Sequence, residues 1–269
     1  MSKQNLRVGL IQFDRCHADL SKSQNSALKA LDEIQNMDIV CFPEVWMGAV
    51  ILNDQEVRVI LEEFSAMAKE KHVMVLTGGL LVQYGDNVYD ICHIIDTDRG
   101  CIGEQRKIFP SGAVGERYLL SGGKGLAVFS CAGIRCGAVI CVDLFYPELM
   151  RELALADVQL IFNPANIPEQ RNDLWHRLVR TRAAENTVFV AYVNNTNTHY
   201  MDGRPVKGRS LVSGPSGDII GSIGEKPAVL CANIESAMVN KQRQRWPYVE
   251  DIHKIVRSKK SPFTIRELE

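Results

Sequence analysis

The spacing of apolar residues changes along the chain, and each change predicts an element. Leu6-Arg7-Val8-Gly9-Leu10-Ile11-Gln12-Phe13 is a compact apolar run between polar flanks and predicts a buried strand over 6–13. Ala27, Leu28, Leu31 and Ile34 then recur at helical spacing. Residues 37–42 form a short apolar run that ends at Pro43-Glu44. Val57, Ile60, Leu61, Phe64, Met67 and Ala68 mark the clearest amphipathic helix. Strands are predicted over 73–76, 88–95 and 101–107. The stretch 109–123 differs: it holds Pro110, Gly112, Gly115, Gly122 and Gly123 and has weak periodicity. It predicts a long loop, and long loops in compact domains often carry function. Residues 126–131 and 134–142 predict strands joined by the turn Ala132-Gly133. A helix over 147–156 opens with Pro147, which suits a first helical position. A strand over 158–162 precedes Asn163-Pro164-Ala165-Asn166. Leu174, Trp175, Leu178 and Val179 mark another helix. Strands follow over 188–193, 210–213, 218–223 and 228–234. The tail after Asn240 is charged and irregular, with a short helix near 252–256.

Strands and helices alternate through the first two-thirds, and hairpin-like spacing dominates around 125–142 and 209–234. This mix predicts an α/β fold with mixed sheets covered by helices. No repeat, low-complexity block or linker divides residues 1–269, so one domain is expected. The chain carries 31 basic and 32 acidic side chains, a formal charge of −1. That balance argues against nucleic acid or an anionic membrane as the main partner, since both attract a basic excess. A 46% hydrophobic content supports a large core. No run approaches the ~18 apolar residues that span a bilayer, and the opening run reads as a strand rather than a secretory signal, so a cytoplasmic location is expected. The eight cysteines are Cys16, Cys41, Cys92, Cys101, Cys131, Cys136, Cys141 and Cys231. None is spaced as Cys-x-x-Cys, and most sit in apolar runs. They read as buried thiols in a reducing compartment, with little support for a disulfide framework or a thiolate zinc site.

Four residues could carry chemistry. Cys141 ends the run Gly137-Ala138-Val139-Ile140, before a turn into the helix at Pro147. A thiol there would be exposed by the turn, and the positive helix end would lower its pKa. Backbone N–H groups just after it could stabilise an oxyanion. A buried cysteine acting as a small hydrophobe is the plain alternative. Glu44 sits past the carboxyl end of a buried strand, the edge where α/β sheets bind ligands. An apolar setting should raise its pKa toward that of a general base. Lys107 ends a strand at the start of the glycine-rich loop, where an ammonium could stabilise charge on a carbonyl oxygen. Glu116 lies within that loop and says nothing alone. No His-Glu-x-x-His, dinucleotide or P-loop pattern is present. Six scattered histidines leave a Cys141 pair with His176 or His199 open.

Together these segments resemble the nitrilase superfamily of carbon–nitrogen hydrolases. Phe42-Pro43-Glu44 is similar to its glutamate motif, and Arg106-Lys107 to its lysine motif. Cys141-x-Asp143 with Tyr146-Pro147-Glu148-Leu149 is similar to its cysteine motif. Asn163-Pro164-Ala165-Asn166, residues 182–186 and Gly208-Arg209-Ser210 are similar to supporting segments, and Glu116 to a second glutamate. The resemblance spans nearly the whole chain. It implies a single-domain, four-layer αββα sandwich with two mixed β-sheets and a Glu44–Lys107–Cys141 catalytic set. It further implies an oxyanion site at the Val142 N–H, no metal or organic cofactor, and a homodimer or higher homo-oligomer with the tail 240–269 at its interface. The expected reaction is hydrolysis of a small carboxamide to acid and ammonia through a Cys141 thioester. Nitrilase and N-carbamoyl amidohydrolase activities are the alternatives within the superfamily. Val142-Asp143 after the cysteine, where a nitrilase commonly has Trp-Glu, favours an amidase. A non-catalytic binding protein is the alternative of another class. Leu144-Phe145-Tyr146 supplies no arginine after Cys141, so an uncharged or partly apolar amide is expected. Trp46, Phe145, Tyr146, Asn166 and Trp175 are the expected pocket residues.

Overall fold

The computed structural model describes residues 5–15, 20–256 and 264–268. Cys16 and His17 lie outside the described residues, as do 257–263 and Glu269 of the tail. In chain order the first half contains β1 (Asn5–Gln12), α1 (Leu20–Glu33), β2 (Ile39–Cys41), β3 (Ile51–Leu52), α2 (Asp54–Lys71), β4 (Met74–Leu76), β5 (Leu80–Tyr84), β6 (Asn87–Asp96) and β7 (Gly100–Arg106). The middle contains β8 (Gly125–Cys131), β9 (Ile134–Ala138), α3 (Pro147–Leu155), β10 (Leu160–Ala165), α4 (Asn172–Asn186) and β11 (Phe189–Asn194). The last part contains β12 (Thr198–His199), β13 (Pro205–Val206), β14 (Leu211–Ser213), β15 (Ile219–Ser222), β16 (Ala228–Glu235), α5 (Ser236–Arg245), α6 (Tyr248–Val256) and β17 (Thr264–Glu267).

All the described strands but β12 and β13, which pair with each other, form two mixed sheets. The first runs β16-β1-β2-β4-β6-β5-β3 with β7 on β6, and the second runs β15-β14-β11-β10-β9-β8-β17. Period-two alternation explains why the first sheet's strands read as continuous apolar runs. Leu6, Val8, Leu10, Ile39, Cys41, Met74, Leu76, Cys92 and Ile94 face the second sheet and join the larger core. Ile11, Val40, Phe42, Val75, Ile91 and Ile95 face the other way, onto α1 and α2 through Ala27, Leu31, Val57, Ile60, Phe64 and Ala68. Helices α3 and α4 cover the outer face of the second sheet through Leu149, Leu153, Val179 and Ala183. The result is the expected four-layer αββα sandwich. Helix α2 starts on a capping box, with Asn53 Oδ1 accepting from the Gln55 and Glu56 N–H groups and Glu56 accepting from the Asn53 N–H.

Four features depart from the sequence reading. Strand β5 sits in the stretch Gly78–Tyr84, whose mixed polarity hid it; it pairs with β6. Strand β10 continues through Asn163-Pro164-Ala165. Proline is tolerated there because β9 pairs only as far as Phe162, so β10 is a one-sided edge beyond that point. Strand β16 does not continue the β14–β15 hairpin but crosses to the first sheet, pairing with β1 over its whole length. The tail is more ordered than its charge suggests: it holds α5 and α6, and β17 pairs in parallel with β8 of the same chain.

Candidate active site

Five strand ends converge. Strand β2 runs parallel to β1 and β4, and β10 runs parallel to β9 and β11. Strand β7 is antiparallel to β6, which is antiparallel to β4, so β7 also points the same way as β4. Glu44, Lys107, Cys141, Asn166 and Asn195 therefore all follow carboxyl ends of strands. The two sheets are joined at this edge: the Glu44 N–H donates to Ala165 O (3.3 Å). Asn195 Nδ2 donates to Glu44 O (2.6 Å) and to Asn166 Oδ1 (2.9 Å).

Local backbone strain presents the reactive groups. Cys141 has φ +49° and Val45, directly after Glu44, has φ +45°. Such conformations cost about 1–3 kcal/mol each and persist only where the surroundings impose them. At Cys141, Asn163 Nδ2 donates to both Val139 O (2.9 Å) and Cys141 O (3.2 Å), and Trp175 Nε1 donates to Asn163 Oδ1 (3.2 Å). At Val45, the N–H donates to Gly79 O (2.7 Å). Gly78 must be glycine here: with φ +69°, a Cβ would lie 2.0 Å from Pro43 O.

Lys107 is the hub. It is 1% exposed, and its Nζ lies 2.6 Å from Glu44 Oε1, 2.7 Å from Glu116 Oε2 and 3.5 Å from Asp90 Oδ2. Burial works against its charge, but Glu44, Cys141, Asp90 and Glu116 outweigh burial and push its pKa well up. It is an ammonium at every working pH. Glu116 is held by the Ser111 N–H (2.7 Å) and sits on a single turn, Glu116–Tyr118, inside the predicted loop. Asp90 has no signal in the sequence, because an acid inside the strand 87–96 reads as an outward-facing polar position. Neither of its oxygens has a hydrogen-bond partner. Burial pushes its carboxyl well up; Lys107 opposes, and Glu44 and Glu116 add to the rise.

Cys141 opens a short 3-10 helix, Cys141–Phe145, and is 7% exposed. Its thiol is not depressed as the helix-end argument predicts. Burial pushes it well up, Glu44 and Glu116 add to that, and Lys107 offsets only part. Two or three N–H groups of a short helix give a weak field, while desolvation of a thiolate costs far more. The Val142 N–H lies in the first turn, where N–H groups have no acceptor within the helix. No histidine is among the groups that shift Cys141; His176 Nε2 pairs with Arg209 O (2.7 Å), and His199 is exposed.

The expected pocket residues separate. Phe145 and Tyr146 are partly buried at the end of the Cys141 helix, with Phe145 edge-on to Trp175 (5.2 Å) and Tyr146 against Phe109 (4.0 Å). Arg182 holds that helix end by donating to Leu144 O and Phe145 O. Asn166 lies at the convergent edge, and its carbonyl accepts from the Tyr200 hydroxyl. Trp46 is a correction: it is fully buried among Phe13, Phe42 and Phe64, with Nε1 donating to Thr77 O (2.6 Å), so it belongs to the core. Trp175 stands behind Cys141, holding Asn163. Tyr200, between β12 and β13, is a missed residue. Its hydroxyl bond to Asn166 O places the phenol at the convergent edge, and burial, with Cys141 and Glu44, raises its pKa against Lys107.

Asp143 ties the site together. Its oxygens accept from the Ile108 (2.9 Å) and Phe109 (2.9 Å) N–H groups, locking the Lys107 segment to the Cys141 segment. Burial lifts its pKa to about 7, with those N–H bonds and Lys107 opposing. The unfolded group titrates near 3.8. Between these values the native state binds more protons, so this group's contribution to stability falls as pH rises, by at most about 1.4 kcal/mol per unit. Urea titrations at pH 5 and 7 should show Asp143→Asn losing less stability than the parent over that rise. Equal losses would contradict the assignment.

Residues 7–244 match the sequence profile of carbon–nitrogen hydrolases. The chain belongs to the carbon–nitrogen hydrolase family. As a member it is a hydrolase of carbon–nitrogen bonds other than peptide bonds. It is 27% identical over 254 residues to a 2-oxoglutaramate amidase of Bacillus subtilis, an alignment covering 92% of this chain and 97% of that protein. Among solved structures, a Helicobacter pylori G27 carbon–nitrogen hydrolase superposes with a TM-score of 0.84 at 18% identity, covering 93% of this chain and 95% of that one. A Nesterenkonia sp. AN1 amidase variant, with an acetamide moiety on its active-site cysteine, superposes with a TM-score of 0.81 at 18% identity, covering 95% and 97%. These two likenesses establish the shared fold of the carbon–nitrogen hydrolases.

Proposed function

We propose that the enzyme is an amidase that converts a small carboxamide to its acid and ammonia through a Cys141 thioester. The observation that carries this reading is the buried group Lys107, Glu44 and Glu116, gathered at the strand-end edge that Cys141 also occupies. Because the resting thiol is protonated, attack needs a base in contact with it, and Glu44 is that group. Cys141 Sγ attacks the carboxamide carbon as Glu44 takes the thiol proton. Lys107 Nζ and the Val142 N–H bind the developing oxyanion. Glu44 returns the proton to the leaving nitrogen, and ammonia departs. A water that Glu116 positions loses a proton to Glu44 and attacks the thioester, releasing the acid and the free thiol. Asp90 is a positioning residue, buried with an oxygen 3.5 Å from Lys107 Nζ.

The test is ammonia release from neutral, carboxylate-bearing and carbamoyl amides and matched nitriles. Release from carboxamides is expected. Release from nitriles alone would move the enzyme to nitrilase chemistry, and silence with every class would favour a binding role. Glu44→Gln should lower kcat/KM for the best amide by roughly 10²–10⁴ at pH 7; an unchanged value would remove Glu44 as the base.

A cytoplasmic enzyme fits the free cysteines among the described residues: Cys41, Cys92, Cys101, Cys131, Cys136, Cys141 and Cys231. Among the described residues no helix is long and apolar enough to cross a membrane. A homodimer or larger homo-oligomer fits the exposed Ile219, Ile220 and Met238 on β15 and α5.

A further inference from the structure

Asp90 lies inside β6 and is 1% exposed. It meets Lys107 twice. The Lys107 N–H donates to Asp90 O (2.8 Å), and Asp90 Oδ2 lies 3.5 Å from Lys107 Nζ. Neither carboxyl oxygen has a hydrogen-bond partner among the described residues. The chain makes room for this carboxyl. A Cβ on Gly79 would lie 2.4 Å from Asp90 Oδ1 and 2.9 Å from Glu44 Cγ. Gly79 is not among the glycines with positive φ, so space rather than backbone conformation calls for glycine there. Asp90 and Glu44 thus flank one bare stretch of backbone, and both reach toward Lys107.

A buried carboxyl without hydrogen bonds is unfavourable unless a nearby charge offsets its desolvation. Lys107 is that charge for Asp90, and Asp90 is one of the groups that sustain the ammonium against burial. At rest Lys107 has closer partners, Glu44 Oε1 at 2.6 Å and Glu116 Oε2 at 2.7 Å. Turnover changes that balance. Glu44 carries a proton once the thiol has attacked, and again once water has attacked the thioester. A neutral carboxyl no longer balances the ammonium. Glu116 remains, but it sits on a single turn of the loop with its side chain 23% exposed. Asp90 is the one carboxyl of the three set within a strand, and it takes no part in the proton transfers.

We propose that Asp90 is the reserve counter-ion of Lys107, a positioning residue that holds the ammonium at the oxyanion site while Glu44 is protonated. Its place in turnover rests on the amidase reading. Without Asp90, the ammonium is drawn to Glu116 alone whenever Glu44 is neutral, and it follows a loop rather than a strand. Gly79 is the condition for this arrangement, since any side chain there would wedge the two carboxyls from their places.

Glu44→Gln imitates the protonated base, because the amide has the shape of the acid and no charge. Urea unfolding of the parent, Asp90→Asn, Glu44→Gln and the double variant therefore tests the role without any substrate. Asp90→Asn should raise the unfolding equilibrium constant by about tenfold more in the Glu44→Gln background than in the parent, a coupling typical of neighbouring groups in one network. A double variant that fails to fold where both singles fold is the same result in its extreme form. Equal effects in the two backgrounds would mean a structural role and overturn the proposal. The kinetic arm uses the best amide. Asp90→Asn should lower kcat by about tenfold or more and leave KM within about threefold, because the loss falls on the stages where Glu44 is protonated. An unchanged kcat, or a loss carried by KM, overturns the proposal. If no amide is turned over but Asp90 and Glu44 are coupled in stability, the amidase reading fails and the counter-ion role stands.

Discussion

Replacing Cys141 by alanine is expected to abolish ammonia release, by at least about 10⁴-fold, while the protein stays folded. The fold should survive because the side chain removed is small. Its neighbours at the strand end are held by Asn163 and Asp143 through backbone groups that alanine keeps. The strain at φ +49° remains, since alanine adopts that conformation no more easily than cysteine. Loss of function comes from the missing sulfur alone. Mass spectrometry of the parent during turnover should find the acyl group on Cys141, and the variant should show none. A folded Cys141→Ala protein that still releases ammonia would refute the thioester route. The raised thiol pKa adds a kinetic corollary. Labelling of Cys141 by a neutral alkylating agent should be slow unless the reagent fits the chamber, because the thiolate forms only as Glu44 takes the proton.

Lys107→Met should have the largest effect on stability. It leaves Glu44, Asp90 and Glu116 around an apolar side chain, with no cation at 2.6, 2.7 or 3.5 Å. Removing one partner of a buried ion pair typically costs about 3–5 kcal/mol. The sign of the pH dependence follows from the carboxyls. Without the ammonium they hold protons in the fold to a higher pH than in the unfolded chain. Native protons then exceed unfolded protons above the ordinary carboxyl range, and stability falls as pH rises. The gap between parent and variant should therefore be wide at pH 7.5 and narrower at pH 5, measured by urea unfolding. A constant gap would mean that the carboxylates do not meet at Lys107. Activity should fall by about 10²–10³ or more even where the variant is folded, since a main oxyanion donor is lost.

These two residues were legible in sequence for a shared reason. Each follows a predicted strand at a break in pattern, and where strands point the same way such breaks line up on one edge. Glu44 behind Pro43 and Lys107 before the glycine-rich loop have the same signature. Asp90 lacked it: its meaning depends on Glu44 and Lys107, far away in sequence but adjacent in space. Tyr200 also failed to show, because it sits where an irregular segment crosses the edge and no periodicity marks it. Trp46 was misread because its position after Glu44 suggested a pocket wall, whereas the chain turns at Val45 and drives the indole back under α2. The Cys141 pKa was misread because the helix end is local and visible in sequence, while burial between two sheets is not. In the fold, the strands facing both cores were readable from hydrophobicity. The crossing of β16 between sheets was not, because partner choice depends on geometry that a hairpin-like spacing does not encode.

That crossing shapes how the molecule is made. Strand β1 lies second in its sheet, and its outer neighbour β16 is more than two hundred residues downstream, with Gln12 opposite Ala228. Gln12 also needs late partners, bonding to the carbonyls of Gly224 and Lys226 and to the Ser210 side chain. On a ribosome adding about 5–20 residues per second, one flank of β1 stays open for roughly ten to forty seconds. During that time an apolar strand with unpaired backbone groups is a template for wrong pairing. Strand β1 must therefore be shielded throughout that interval, and a strand made before the rest of its sheet is among the last to be sealed.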